Sequence, residues 1–100
     1  MQVTIVKAER ITTIKLQGRF DFNTHREFRA FAETTLQEAP SQIQVDLAGV
    51  DYLDSSALGM LLMLRDKAQS TNKTVALVNC RGNVRQVLDI ANFGKLFSIS

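Results

Sequence analysis

The sequence predicts a single α/β domain of order β-β-α-β-α-β-α, built on a mixed four-stranded sheet with its helices mainly on one face. Three observations carry this. Apolar residues recur at every second position in some short runs and every three to four positions in others. After an opening pair of strand-like runs the two kinds alternate, which is the pattern of βαβ crossovers and so of parallel strands. The strand-like runs also alternate apolar with polar residues instead of staying apolar throughout. A sheet packed on one face and wet on the other has that pattern.

The elements follow in order. "VTIVK" and "ITTIKLQG" are β-prone runs separated by "AER". Val3 and Ile5 share one parity; Ile14 and Leu16 share another, opposite Lys15 and Gln17, so the two runs read as a hairpin that Gly18 ends. "FDFNTHREFRAFAETTLQEAP" changes period, with Phe28, Phe31 or Ala32, and Leu36 on one helical face. Asn23 or Thr24 suits the cap, Glu27 suits the first turn, and Pro40 closes the unit. In "QIQVDLAGV" Ile43, Val45 and Leu47 alternate with Gln44 and Asp46, giving a strand. The loop "AGVDYLD" then leads to a helix from about Ser56 to Gln69. "NKTVALVNC" supplies a further strand, and "NVRQVLDIA" a last helix through Val84, Val87, Leu88 and Ala91, with Gly82 and Asn83 as turn and cap. "FGKLFSI" is a hydrophobic tail expected to seal an edge of the core.

Composition narrows the function. One hundred residues make one domain, here residues 1–100, and 45% apolar residues supply its core. Twelve basic against ten acidic side chains leave a formal charge of +2, with the signs interspersed. A nucleic-acid surface more often concentrates basic residues beside aromatics, so no direct nucleic-acid contact is expected. The single Cys80 excludes an intrachain disulfide and lacks the companions of a zinc site. "MQVTIVKAER" alternates from the start and does not read as a secretory leader, and Ala57–Leu64, the longest apolar stretch, is far shorter than the ~20 residues of a membrane span. These features give the expectation of a cytoplasmic protein without membrane insertion.

The chemically distinctive stretch is "YLDSSALG", Tyr52–Gly59, at a strand-to-helix corner, where α/β folds commonly place function. One serine oxygen suffices to cap a helix, and that reading alone makes neither hydroxyl special. Against it, there are two hydroxyls, Ala57 and Gly59 leave room for a close approach, and Leu58 with Met60–Leu64 nearly encircles the helix. Met60 and Met63 suit an adaptable contact surface. A phosphoryl group on Ser56 would add about −1.5 to −2 charges, opposed by Asp54, and would spoil an apolar contact without unfolding the protein. Ser56 is not read as a catalytic nucleophile: the G-x-S-x-G elbow is missing and His25 is the sole candidate base.

"YLDSSALG" resembles the D-S-S/T-G-L-G signature of STAS domains, especially bacterial anti-sigma factor antagonists. "LQGRFDFNTHREF", "QIQVDLAGVDYLDSSALGMLL" and "NVRQVLDIANFGKLFSI" extend the resemblance over nearly the whole chain. It implies a STAS-like, non-enzymatic partner-switching protein without a cofactor or metal. The unmodified form would bind an anti-sigma factor that is also a serine kinase, and phosphorylation would break the complex. A PP2C-type serine phosphatase would reset it. By position in the signature the phosphoacceptor is Ser56, with Ser55 the runner-up. The resemblance sets Asp21 and Asp54 beside the phosphoacceptor. With Ser55, Ser56, Ala57, Leu58, Gly59, Met60 and Met63 they form the expected partner surface. Ala57 stands where the family prefers glycine.

Other readings stay beside this one. The alternative is a constitutive STAS scaffold or an accessory subunit of a signalling or lipid-transport complex, with no serine phosphoswitch. Arg26 and Arg29 near Glu27 and Glu33 read as a wetted helix face, and Arg81 with Arg85 as a small contact for an acidic partner. Asp21, Asp51 and Asp54 would attract a divalent ion only if the fold clustered them, and no intrinsic metal is expected.

Overall fold

A five-stranded sheet carries three helices in the computed structural model, which describes residues 1–38 and 41–100. The strands are β1 (Gln2–Lys7), β2 (Ile11–Phe20), β3 (Gln42–Leu53), β4 (Thr74–Val78) and β5 (Ser98–Ile99). The helices are α1 (His25–Glu38), α2 (Ser55–Ser70) and α3 (Gly82–Ile90), with 3₁₀ turns at Phe22–Thr24 and Phe93–Lys95. Strands lie in sequence order across the sheet; β1 runs antiparallel to β2 and every other pair is parallel. The expected mixed sheet is therefore present, with five strands instead of four. The extra one is the tail: Phe93 and Phe97 bury and stack with centroids 5.3 Å apart, which delivers Ser98–Ile99 to the free edge of β4.

All three helices pack on one face. Phe28 and Ala32 from α1, Leu61 and Leu64 from α2, and Val84 and Leu88 from α3 join Ile14, Leu16, Ile43, Val45, Leu47 and Leu77 in a single core. On α1, of the two alternatives for the packed face, Ala32 is buried and Phe31 is 39% exposed. Lys15 and Gln17 point to the wet side of the sheet, and Thr13 there donates to Gln44. Glu33 ties α1 to α2, accepting from Arg29 and from Lys67, both at 3.3 Å. These two hydrogen bonds hold its carboxyl below the usual glutamate range. The linked stability is present at neutral pH and is lost as acid protonates the group. Among the described residues no helix is long and apolar enough to cross a membrane.

Several expected boundaries move. Gly18 does not end β2: it adopts φ +100° at a register shift and the strand resumes through Phe20. Nor is "AGVDYLD" a loop, since β3 runs on to Leu53. The reason is two irregularities against β2, where Lys15–Gln17 faces Asp46–Gly49 and Gly18–Arg19 faces Val50–Tyr52. Each gives β3 one extra residue, so its buried side chains switch parity from Leu47 to Val50 and again to Leu53. Asp46 stabilises the first bulge, accepting from the Ala48 N–H at 2.9 Å and from Asn79 at 3.1 Å. At the last helix, Gly82 (φ +58°) and Asn83 lie inside α3, Arg81 is the cap residue, and no side chain caps it. The role expected of Pro40 lies outside the described residues.

At Gly49 the backbone of β3 leaves no room for a side chain against β2. A Cβ there would stand 2.9 Å from the Leu16 carbonyl oxygen and 2.7 Å from Gln17 Cγ. The backbone oxygen cannot swing aside as a side chain can. Gly49→Ala is expected to lower stability by about 1–3 kcal/mol, the usual cost of overpacking. Urea denaturation checks this, and an unchanged midpoint would mean that the bulge has slack.

Candidate functional site

Parallel pairing of β2 with β3 sets Phe20 opposite Leu53. The next residue on each chain segment is an aspartate, so Asp21 and Asp54 leave the same end of the sheet side by side. Both have extended backbones, at φ/ψ −141°/−171° and −114°/−175°, which is the conformation of a residue preceding a helix. Asp21 caps the first 3₁₀ turn. Its carboxylate accepts from the Asn23 N–H at 3.0 Å, and its own N–H donates to the Thr24 hydroxyl at 3.0 Å. Asp54 caps α2, with Oδ1 accepting from the Ala57 N–H at 3.0 Å. Its Oδ2 accepts from the Phe22 N–H, also at 3.0 Å, so one carboxylate joins two corners of the chain.

Aspartates thus cap the 3₁₀ turn and α2: Asp54 takes the place the sequence allowed a serine, while Thr24, one of the two caps suggested for the first helix, lies immediately before α1 and completes the Asp21 capping box. Ser55 and Ser56 are instead the first two residues of α2. Ser55 is exposed and Ser56 half-buried, and neither hydroxyl makes a hydrogen bond among the described residues. An anionic side chain in the cap position satisfies the helix N–H groups and suits their positive end of the helix dipole. The serines are left chemically spare.

Of the expected partner surface, Ala57 is not available: its methyl is fully buried and its N–H is taken by Asp54. It sits at the head of the buried stripe Ala57, Leu61, Leu64 and Ala68. Leu58, Met60 and Met63 are half-buried and rest on the core. Gly59 is exposed, and nothing lies within 4 Å of where its Cβ would be. Ser56, Gly59, Met60 and Met63 follow the three-and-four spacing of one helix face.

The sequence reading missed the aromatic part of this corner. Phe22 is 65% exposed, stacked on His25 with centroids 4.8 Å apart. His25 Nδ1–H donates to the Phe22 carbonyl, and no hydrogen bond joins His25 to either serine. The Arg19 guanidinium lies 4.1 Å from the centroid of the Tyr52 ring and 3.5 Å from Asp21. Helical periodicity gave no signal for Phe22 because it belongs to a 3₁₀ turn, and Tyr52 was hidden in the supposed loop. Asp21, Asp51 and Asp54 form no metal-holding group, and none of three or more His, Cys, Asp or Glu residues occurs among the described residues. Arg81 and Arg85 turn to separate internal partners, the Ala48 carbonyl and Asp89. Burial raises the Cys80 thiol above its ordinary value, so it stays protonated and weakly nucleophilic.

Asp54→Ala removes a cap and a link between segments in one step. We expect a loss of about 1–2 kcal/mol, toward the upper range for a cap. Chemical denaturation measures it, and wild-type stability would mean that both hydrogen bonds are idle.

Residues 3–98 match the family model described as Mlab, STAS domain. A STAS-domain containing protein of Pseudomonas aeruginosa is 51% identical over 89 residues, which are 88% of this chain and 86% of that protein. Among solved structures, an anti-sigma factor antagonist from Mycobacterium paratuberculosis has a TM-score of 0.88 at 18% identity, covering 98% of this chain and 83% of that one. The anti-sigma factor antagonist SpoIIAA, unphosphorylated, has a TM-score of 0.77 at 21% identity, covering 99% and 87%. The phosphorylated form, described as a Bacillus cell fate determinant, has a TM-score of 0.76 at the same identity, covering 99% and 91%. The family model spans nearly the whole chain and the Pseudomonas relative is alike over most of it: the chain belongs to the STAS domain family.

Proposed function

We propose that this protein is an anti-sigma factor antagonist that works by partner switching in the cytoplasm. The unmodified form binds an anti-sigma factor with serine kinase activity, the kinase phosphorylates Ser56, and the complex separates. A PP2C-type phosphatase then restores the hydroxyl. The protein supplies a surface and an acceptor, not catalysis, and makes no direct contact with nucleic acid or membrane.

The observation that carries this reading is the spare hydroxyl of Ser56. Asp54 already caps α2, so modifying Ser56 removes no bond that the fold uses. The hydroxyl shares a helix face with Gly59, Met60 and Met63, and the exposed Phe22 is tied to the same corner through its N–H bond to Asp54, so that a partner finds apolar contact there. Aromatic and methionine side chains are enriched at the centres of such interfaces. Ser55 is the runner-up acceptor because it is adjacent and more exposed.

The test begins with purified kinase partner, ATP and site-resolved mass spectrometry. Phosphate on Ser56 is expected, with affinity by calorimetry falling at least tenfold in the modified protein and Ser56→Ala still binding. Binding that ignores phosphorylation, and survives Ser55 and Ser56 both changed to Ala, would favour a constitutive scaffold.

Gly59 separates stability from binding. An exposed glycine inside a helix costs about 0.5–1 kcal/mol relative to alanine. Gly59→Ala should raise stability by about that amount, since the methyl meets open space. It should also weaken partner binding severalfold, because the partner backbone comes close there. A variant that is stabilised and binds as well as wild type would remove Gly59 from the interface.

A further inference from the structure

We propose that the cleft between the β1–β2 hairpin and the C-terminal half of α1 binds a small neutral, mostly apolar molecule carrying one hydroxyl or carbonyl group. The cleft has a volume of about 230 Å³, with Ile5 and Phe31 among its walls. At ~30 Å³ for each water-sized group it admits about eight such groups. It lies at the start of β2 and the end of α1, at the opposite end of both elements from the Ser56 corner.

Two threonines mark it as a site. Thr12 has the parity of Ile14 and Leu16 on β2, and Thr35 continues the buried stripe of Phe28 and Ala32 on α1. These are core positions, and each threonine is only 3% exposed. Neither hydroxyl makes a hydrogen bond among the described residues, in contrast to Thr34, whose hydroxyl donates to the Ala30 carbonyl. No sealed side-chain polar atom lacks a partner among the described residues, and both threonines line the cleft. Valine would fill the same volume without a polar group to satisfy. A ligand oxygen seated between these two would take the hydrogen bonds that solvent otherwise supplies.

Charge selects the class of ligand. Lys7 and Glu38 are the charged residues of the lining, and they pair with each other. Their charges are mutually neutralised, so neither a carboxylate nor an ammonium ligand finds an unpaired counterion. The walls suit an apolar body, and the two hydroxyls suit one polar atom that can donate or accept.

The full-length protein tests this by amide NMR titration with 1-hexanol, cyclohexanol and 2-phenylethanol. The charged comparisons are hexanoate, hexylammonium and phenylacetate. At least one alcohol should give saturable shifts at Ile5, Thr12 and Thr35, with each charged analogue binding at least tenfold more weakly. The near-isosteric pair Thr12→Val and Thr35→Val, made together, should keep the wild-type spectrum elsewhere and weaken the alcohol at least fivefold. Ser56→Ala should leave this binding unchanged, which separates the cleft from the phosphoswitch. No saturable shift with any alcohol would mean that water alone meets the hydroxyls and would overturn the proposal. Equal binding by the double variant, or by the charged analogues, would overturn it too.

Discussion

One carboxylate sets the geometry on which the rest depends. Asp54 accepts from Ala57 with one oxygen and from Phe22 with the other. The first bond starts α2. The second fixes the turn that precedes α1, a turn separated from Asp54 by an entire crossover. The backbone N–H of Asp54 adds a 3.4 Å contact to the Phe20 carbonyl, closing the end of the sheet between β2 and β3. Both helices therefore leave the sheet from a shared hinge point, which is what lets residues far apart in sequence present one surface.

That convergence needs β2 and β3 to end together, and the bulges make it possible. β3 is longer than β2, and without the two extra residues the segments would lose register before Phe20 and Leu53. Gly49 permits the close approach at the first irregularity, and Asp46 ties off its backbone. The bulges also increase local twist and re-aim the end of the strand, a common device beside functional sites. Packing at the middle of the sheet is in this way linked to the position of a hydroxyl at its edge.

Much of this was legible in the residues. Period two and period three-to-four located the first four strands and all three helices, and the polar alternates in β2 and β3 correctly indicated one bare sheet face. The signature stretch lies at the corner where Asp21 and Asp54 leave the sheet. What escaped was whatever breaks a period. Two extra residues shifted the parity of β3 and made its last part look like loop. A 3₁₀ turn placed Phe22 outside any helical face. The two-residue β5 has no period to read, since its place is set by burial of Phe93 and Phe97. The cap of α2 escaped for a related reason: Asp and Ser are near-equivalent by preference, and the structure gives the position to Asp54.

The same arrangement decides where a phosphate on Ser56 would act. Its repulsion with Asp54, taken at about 5 Å in water-like surroundings, is on the order of 1–2 kcal/mol for a near-dianion. Attraction to the free N–H groups and dipole of the α2 N-terminus returns about 0.3–1 kcal/mol for each charge. These contributions nearly cancel, and Asp54 keeps its cap, so the folded state has little reason to change. A partner that covers the corner faces a different sum. It must strip water from a doubly charged group against Met60, Met63 and Phe22, with Asp21 and Asp54 already negative beside it. Uncompensated desolvation of an ion costs several kcal/mol even after relaxation, which is three or more decades of affinity. The charge is tolerated by the fold and expensive at the interface, and that inequality is what a switch built on a stable domain requires.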